Sequence, residues 1–153
     1  MQTQRRSVLK KLFTSLVGIT GFGVIAKAKT NSTDEKEVNG IVYDQEVPLF
    51  SQSTKLGNLV FIAGQGAHFE GDIKSHTDHV LKSMEEQLVK AGSSMKKVLK
   101  VCVFLNDIKD YQGMNEVFKG RFGDNPPVRT TVAVAAGGVP GNSLVEMDCM
   151  AYI

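Results

Sequence analysis

The sequence is short of cysteine, with two in 153 residues, and that scarcity removes two classes of protein at once. Cys102 and Cys149 are too few for a disulfide framework, and neither stands at metal-site spacing from another ligand. Each lies inside an apolar, strand-like run, the setting of a small buried hydrophobe. A disulfide between them is compatible with an oxidising compartment, and sequence alone does not decide it. The uncharged run from Leu12 to Ala26 falls short of the about 20 apolar residues that a spanning helix needs, and Gly18, Gly21 and Gly23 dilute it. A basic cluster is missing beyond residue 28. There 13 Lys and Arg face 16 Asp and Glu, a net charge of −3, which is the wrong sign for a nucleic-acid binder.

The first 28 residues lack acidic side chains altogether and hold Arg5, Arg6, Lys10, Lys11 and Lys27. A basic segment, a short apolar segment and the small-residue site Ala26-Lys27-Ala28 make a secretory signal. Within it Gln4-Arg5-Arg6-Ser7-Val8-Leu9-Lys10 resembles a twin-arginine export signal, which a receptor reads and which is not an anchor. The expectation is a twin-arginine signal peptide over 1–28, a periplasmic location and no stable membrane anchor after cleavage. An uncleaved anchor and an ordinary Sec signal are the competing readings. Residues 29–36 are polar and read as a flexible tether, leaving a single domain over 37–153.

Within that domain the pattern predicts strands at 37–43, 51–55, 59–64, 98–105, 129–135 and 144–152. It predicts helices at 75–91, with Val80, Leu81, Met84, Leu88 and Val89 on one stripe, and at 110–122. Gly92 stops the first helix and Asn125-Pro126-Pro127 breaks the second. The order β-β-β-α-β-α-β-β implies a mixed α/β (α+β) sheet with both helices on one face. Leu59 and Phe61 on the other face then need a cover, which an oligomer supplies. His68, His76 and His79 lie in or beside a polar, helix-starting stretch and read as solvent-facing.

The last strand alternates. Val145, Met147, Cys149, Ala151 and Ile153 form an apolar face for the helices, and Glu146 and Asp148 project from the other. If Val132 and Val134 also face the helices, Arg129, Thr131 and Ala133 share the far side with Asp148. The planar guanidinium fork of Arg129 suits a substrate carboxylate, and a nearby carboxylate can hold water as a general base. An interface ion pair is the competing reading of the same two residues.

Six stretches in order resemble the Rid family of reactive intermediate deaminases, formerly the YjgF family, over about 37–153. They are the run from Leu56 to Gln65, Lys90-Ala91-Gly92, the run from Val103 to Tyr111, Met114-Asn115-Glu116-Val117-Phe118, the run from Pro127 to Val132 and the run from Val145 to Ala151. The resemblance implies a chorismate-mutase-like fold and a homotrimer with three clefts between subunits. It implies hydrolysis of 2-aminoacrylate-type enamines and imines to 2-keto acids and ammonia, without cofactor or metal. It assigns the carboxylate anchor to Arg129 and the water-positioning carboxylate to Asp148. Gly64 and Gln65 line the cleft, and Asn115 gives structural support.

At the remaining cleft positions the chain departs from the family. Asp148 stands for a usual Glu, Phe50 for a Tyr, Ala63 for a Ser and Thr131 for a Cys, with Phe50 and Thr131 still at substrate-binding positions. The partner expected is a small imino or keto acid, with no nucleic acid. A non-catalytic periplasmic binder of small carboxylates, a divergent hydrolase on the same fold and an RNA-cleaving protein are the competing functions. The lost hydroxyls at Phe50 and Ala63 favour the binder, and the acidic balance weighs against the RNA-cleaving protein.

Overall fold

The structure, a computed structural model, describes residues 35–153. The signal segment expected over 1–28 and most of the tether expected over 29–36 lie outside the described residues. Six strands and two helices follow in the expected order: β1 (Glu37–Asp44), β2 (Val47–Leu56), β3 (Leu59–Gln65), α1 (Ile73–Lys90), β4 (Val98–Leu105), α2 (Tyr111–Phe118), β5 (Val128–Ala133) and β6 (Val145–Tyr152). Among the described residues no helix is long and apolar enough to cross a membrane.

Local chemistry sets the boundaries. Gln45 and Glu46 both adopt positive φ, 46° and 74°, so β1 and β2 join through a two-residue turn whose twist matches the strands. Helix α1 begins two residues earlier than expected because Asp72 is its cap: the carboxylate accepts the Ser75 N–H at 2.8 Å while the Ser75 hydroxyl accepts the Asp72 N–H at 2.9 Å. It stops at Gly92, as expected, where the Ser93 N–H reaches back to the Leu88 carbonyl at 2.8 Å. Helix α2 ends at Phe118, four residues short of expectation. Lys119 leaves the helix and Gly120 turns at φ +80°, yet Phe122 still packs against Phe118, ring centroids 4.9 Å apart.

The sheet order is β1-β2-β3-β6-β4-β5. All neighbours are antiparallel except β4 and β5, which α2 joins as a parallel crossover. One face packs under the helices. Val60, Ile62, Val101, Val103, Leu105, Val145, Met147, Cys149 and Ala151 meet Val80, Leu81, Met84 and Leu88 of α1 and Met114 of α2 in one core. Two residues expected there are exposed: Val89, a hundred degrees round the helix from Leu88, and Ile153, beyond the end of β6. The other face is open. Leu59 pairs with Tyr152 and Phe61 with Met150 across β3 and β6, and all four are exposed.

The expected phase of β5 is reversed. Arg129 pairs with Val101 and Thr131 with Val103, both core residues, so Arg129 and Thr131 face the helices. Val132 pairs with Phe104 and is exposed on the open face. The run Val128–Ala133 is mixed on both parities, so its own alternation carries no phase and the pairing with β4 decides it. The same register separates the cysteines. Cys149 faces the core, Cys102 pairs with Asp148 on the open side, and both are free thiols that point apart. Burial pushes the Cys149 thiol up to about 12.

Candidate active site

The site begins where β3 loses its register. Between Ile62 and Gln65 the pairing with β6 shifts by a bulge, and Gly64 lies in it with its backbone exposed. The Glu146 carboxylate fills the space beside Gly64, and any Cβ there would overlap it. Glycine is what lets a carboxylate lie against this stretch of main chain. Glu146 also borders a cleft of about 170 Å³ with Phe104, Val134, Gly138, Val139 and Pro140. The cleft is mostly apolar apart from Glu146, which strengthens any polar contact made within it. A larger hollow of about 240 Å³ lies between the β1–β2 hairpin and the end of α1, but its Lys55 is already paired with Glu37 at 2.9 Å.

The loop behind the cleft is braced by side chains. The Ser143 hydroxyl accepts the Ala67 N–H at 2.9 Å and donates to the Val145 carbonyl at 2.6 Å. The Asn106 side chain accepts the Gly137 N–H at 2.9 Å. His76, expected in solvent, is 2% exposed: its Nδ1 accepts the Leu144 N–H at 3.1 Å and its Nε2 donates to the Phe69 carbonyl at 2.9 Å. His68 and His79 are exposed as expected, His68 meeting the Gly141 carbonyl at 3.3 Å.

Arg129 stands on β5, an edge strand, and turns toward α2. Its guanidinium lies 4.6 Å from the Phe118 ring centroid and 5.8 Å from that of Tyr111. It donates to the Tyr111 hydroxyl at 3.4 Å and to the Met114 sulfur at 3.8 Å. No carboxylate among the described residues pairs with it, whereas Arg121 is held by Asp78 at 2.8 Å. The result is a cation fixed by aromatic and sulfur contacts with its charge unneutralised. Thr131, two residues along the same face, has a buried hydroxyl oxygen without a hydrogen-bond partner among the described residues.

The family model described as Endoribonuclease L-PSP matches residues 45–153. The chain belongs to the Rid/YjgF (L-PSP) family. It is 37% identical over 123 residues to a RutC family protein of Pyrococcus abyssi, covering 73% of this chain and 95% of that one. It is 33% identical over 111 residues to Reactive Intermediate Deaminase A of Arabidopsis thaliana chloroplasts, covering 68% and 58% respectively. Among solved structures, RidA from the Antarctic bacterium Psychrobacter superposes with a TM-score of 0.65 at 32% identity, covering 75% of this chain and 99% of that one. The Rid resemblance and the mixed α+β fold with two helices are thereby established.

Against this Rid frame the structure redistributes the expected site residues. Arg129 and Asp148 are not on one side of the sheet. Asp148 shares the open face with Cys102 and Thr130, and Arg129 is on the helix face. Nor is Asp148 the carboxylate in the cleft. It lies two residues beyond Glu146, about 7 Å along the strand, where its charge acts with burial, the larger cause, to raise the Cys102 thiol. Gln65, expected to line the cleft, is turned inward by the bulge and pairs with Met147. Its amide donates to the Ala63 and Gly64 carbonyls at 2.9 and 3.2 Å and accepts the Ser83 hydroxyl at 2.6 Å, so it builds the bulge and presents no side chain to the cleft.

Gly64 is where expected. Phe50 is exposed on the part of β2 that pairs only with β1. Asn115 is half-buried on α2, and its carbonyl closes the helix by accepting the Lys119 N–H at 3.1 Å. The residue missed is Glu146. It shares an alternating face with Asp148, and only its position opposite Gly64 distinguishes the two. Among the described residues no group of three His, Cys, Asp or Glu side chains is placed to hold a metal ion.

Proposed function

We propose that this Rid family member hydrolyses 2-imino and enamino acids of the 2-aminoacrylate type to 2-keto acids and ammonia, in clefts between the subunits of a homotrimer. The observation that carries the reading is the separation of two complementary groups. Arg129 is an unneutralised cation on an edge strand, and Glu146 is a carboxylate on the open face. One chain cannot bring both to a small substrate. A second copy laid against the open face brings its Arg129 edge to the Glu146 cleft and covers Leu59, Phe61, Met150 and Tyr152. The relative named as a deaminase supports the chemistry.

In this mechanism Arg129 binds the substrate carboxylate with its fork, and the Thr131 hydroxyl is free to add a hydrogen bond. An enamine first tautomerises to its imine. Glu146 takes a proton from water as the water oxygen attacks the imine carbon, and the C=N electron pair moves to nitrogen, which takes that proton from Glu146. The carbinolamine then collapses: Glu146 passes the hydroxyl proton to nitrogen, C=O forms, the C–N bond breaks and ammonia leaves. No cofactor takes part. The basic residues 5–27 support export by the twin-arginine route, so we place the reaction in the periplasm, with no anchor left after cleavage.

The test generates imino acids in place with an amino-acid oxidase and follows their decay. Wild-type protein should accelerate hydrolysis; Arg129→Lys should remove about 100-fold of it, because a point charge cannot reproduce the fork. Glu146→Gln should be equally damaging and Asp148→Asn close to neutral. Full activity in Arg129→Lys, or the reverse order of the two acidic variants, would overturn the assignments.

A second reading, a binder of small carboxylates without turnover, is favoured by Ala63 and Phe50, which bring no hydroxyl to the site. Thermal stabilisation by keto acids without ammonia release from any imine would select it. Nucleic acid is not proposed as a partner, although the family model's description names an endoribonuclease. Beyond residue 28 the 13 Lys and Arg are outnumbered by 16 Asp and Glu, and Lys55, Lys74, Lys82 and Arg121 are each already paired with a carboxylate, a charge balance that disfavours a phosphate backbone.

A further inference from the structure

His76 is buried in the first turn of α1, yet neither of its ring nitrogens touches the helix core. Both reach out to the main chain of two separate loops. Leu144, whose N–H is held by Nδ1, immediately precedes β6 and stands two residues before Glu146. Phe69, whose carbonyl receives the Nε2 proton, belongs to the loop that leaves the Gly64 bulge. Because one partner is an N–H and the other a carbonyl, the ring is fixed as the Nε2–H tautomer with its Nδ1 lone pair used. The Phe69 ring packs edge-on at 4.9 Å and hinders rotation of the imidazole.

The contacts around Leu144 make this more than a loop staple. The Leu144 carbonyl accepts the Asn106 N–H at 3.0 Å, and Ser143 ties Ala67 to Val145. The entry of β6 is therefore clamped to the exit of β3 by Ser143, to the end of β4 by Asn106 and to α1 by His76. Of these three, only His76 spans both loops from a rigid element. Neighbouring Thr77 and Val80 are fully buried, so the helix itself cannot yield.

From this geometry we infer that His76 is a positioning residue: it holds the start of β6 and the loop after the bulge at the spacing that sets the Glu146 carboxylate against Gly64. The inference rests on the reading of Glu146 as the water-activating group and extends it to a residue that touches neither substrate nor water. The requirement is an acceptor and a donor on one short, flat side chain. A carboxamide offers the same pair, and an aliphatic side chain of similar size offers neither.

The test uses the full chain with His76→Gln and His76→Leu, the fold of each checked by circular dichroism. Three readouts are taken: hydrogen exchange at the Leu144 amide, the carbon-13 signal of the Glu146 carboxylate, and kcat and KM for imine hydrolysis. His76→Gln should keep the Leu144 protection, the Glu146 signal and a rate within a few-fold of wild type. His76→Leu should expose the Leu144 amide, move the Glu146 signal and lower kcat by about 100-fold, with KM little changed because Arg129 still binds the carboxylate. A folded His76→Leu protein with unaltered exchange and signal overturns the inference, as does a Gln variant that behaves like the Leu one. If His76→Leu does not fold, the Gln variant alone decides by keeping or losing the Glu146 signal. Wild type that hydrolyses no imine defeats the proposed function, while exchange and the carboxylate signal still judge His76.

Discussion

The two faces of the sheet are built from similar residues and do opposite things. Under the helices Val145, Met147, Cys149 and Ala151 are at most 2% exposed, and every apolar group has a partner in the same chain. On the open face Phe61, Met150, Leu59 and Tyr152 are just as apolar and are 36–44% exposed, interleaved with Glu146 and Asp148. Apolar content alone therefore does not mark a core. What separates the faces is who supplies the other half: the chain's own helices on one side, and on the proposed assembly a neighbouring copy on the other.

The sharpest way to break the comparison is to place one carboxylate on each face. Met147→Asp should leave the protein unfolded, because an uncompensated buried charge costs about 3–5 kcal/mol and the lost packing adds to it, against a total stability of about 5–15 kcal/mol. Phe61→Asp should stay folded by circular dichroism and sediment as a monomer. Folded Met147→Asp, or Phe61→Asp that still sediments with wild type, would erase the distinction.

Next in size is Gly64→Ala, which adds one methyl where the Glu146 carboxylate lies. It should lower kcat by about 100-fold by displacing the base while shifting the melting temperature little, since the bulge is at the surface.

Smaller still is the contrast between the thiols. Buried Cys149, its thiol raised to about 12, should escape alkylation at pH 8 until the protein unfolds, and Cys102 should react first in the folded subunit. Peptide mass spectrometry reads the order, and it should find no disulfide joining the two.

The smallest effect concerns the α1 cap. Hydrogen bonds from Ser75 hold the Asp72 carboxyl below its ordinary value, so its stabilising effect is complete above that value and is lost as the pH falls through the lowered one. The melting-temperature advantage of wild type over Asp72→Ala should therefore shrink below about pH 4.

Much of this architecture is legible in the chain. The 3.6-residue stripe Val80, Leu81, Met84 and Leu88 and the strict alternation of β6 each carry their phase in their own residues, so element order and the buried face follow from them. Strand β5 does not, because each of its two faces mixes an apolar residue with a threonine, Val128, Thr130 and Val132 on one and Arg129, Thr131 and Ala133 on the other, which leaves its phase to a neighbour's register. Gln65 is misread for a related reason: alternation continues through it, but the bulge turns it round. His76 escapes because its partners are main-chain groups of two distant loops, which leave no periodic trace. Glu146 and Asp148 are equivalent to any argument from alternation, and the choice between them rests on a contact with Gly64, some eighty residues away.

The placement of Arg129 and Glu146 on opposite faces also has a genetic consequence. On the proposed assembly each catalytic centre draws one of these residues from each of two polypeptides. Two alleles that are separately dead, one altered at Arg129 and the other at Glu146, should therefore complement when co-expressed. A mixed particle restores an intact centre wherever the sound half of one chain meets the sound half of the next, and two alleles altered at the same position should never do so.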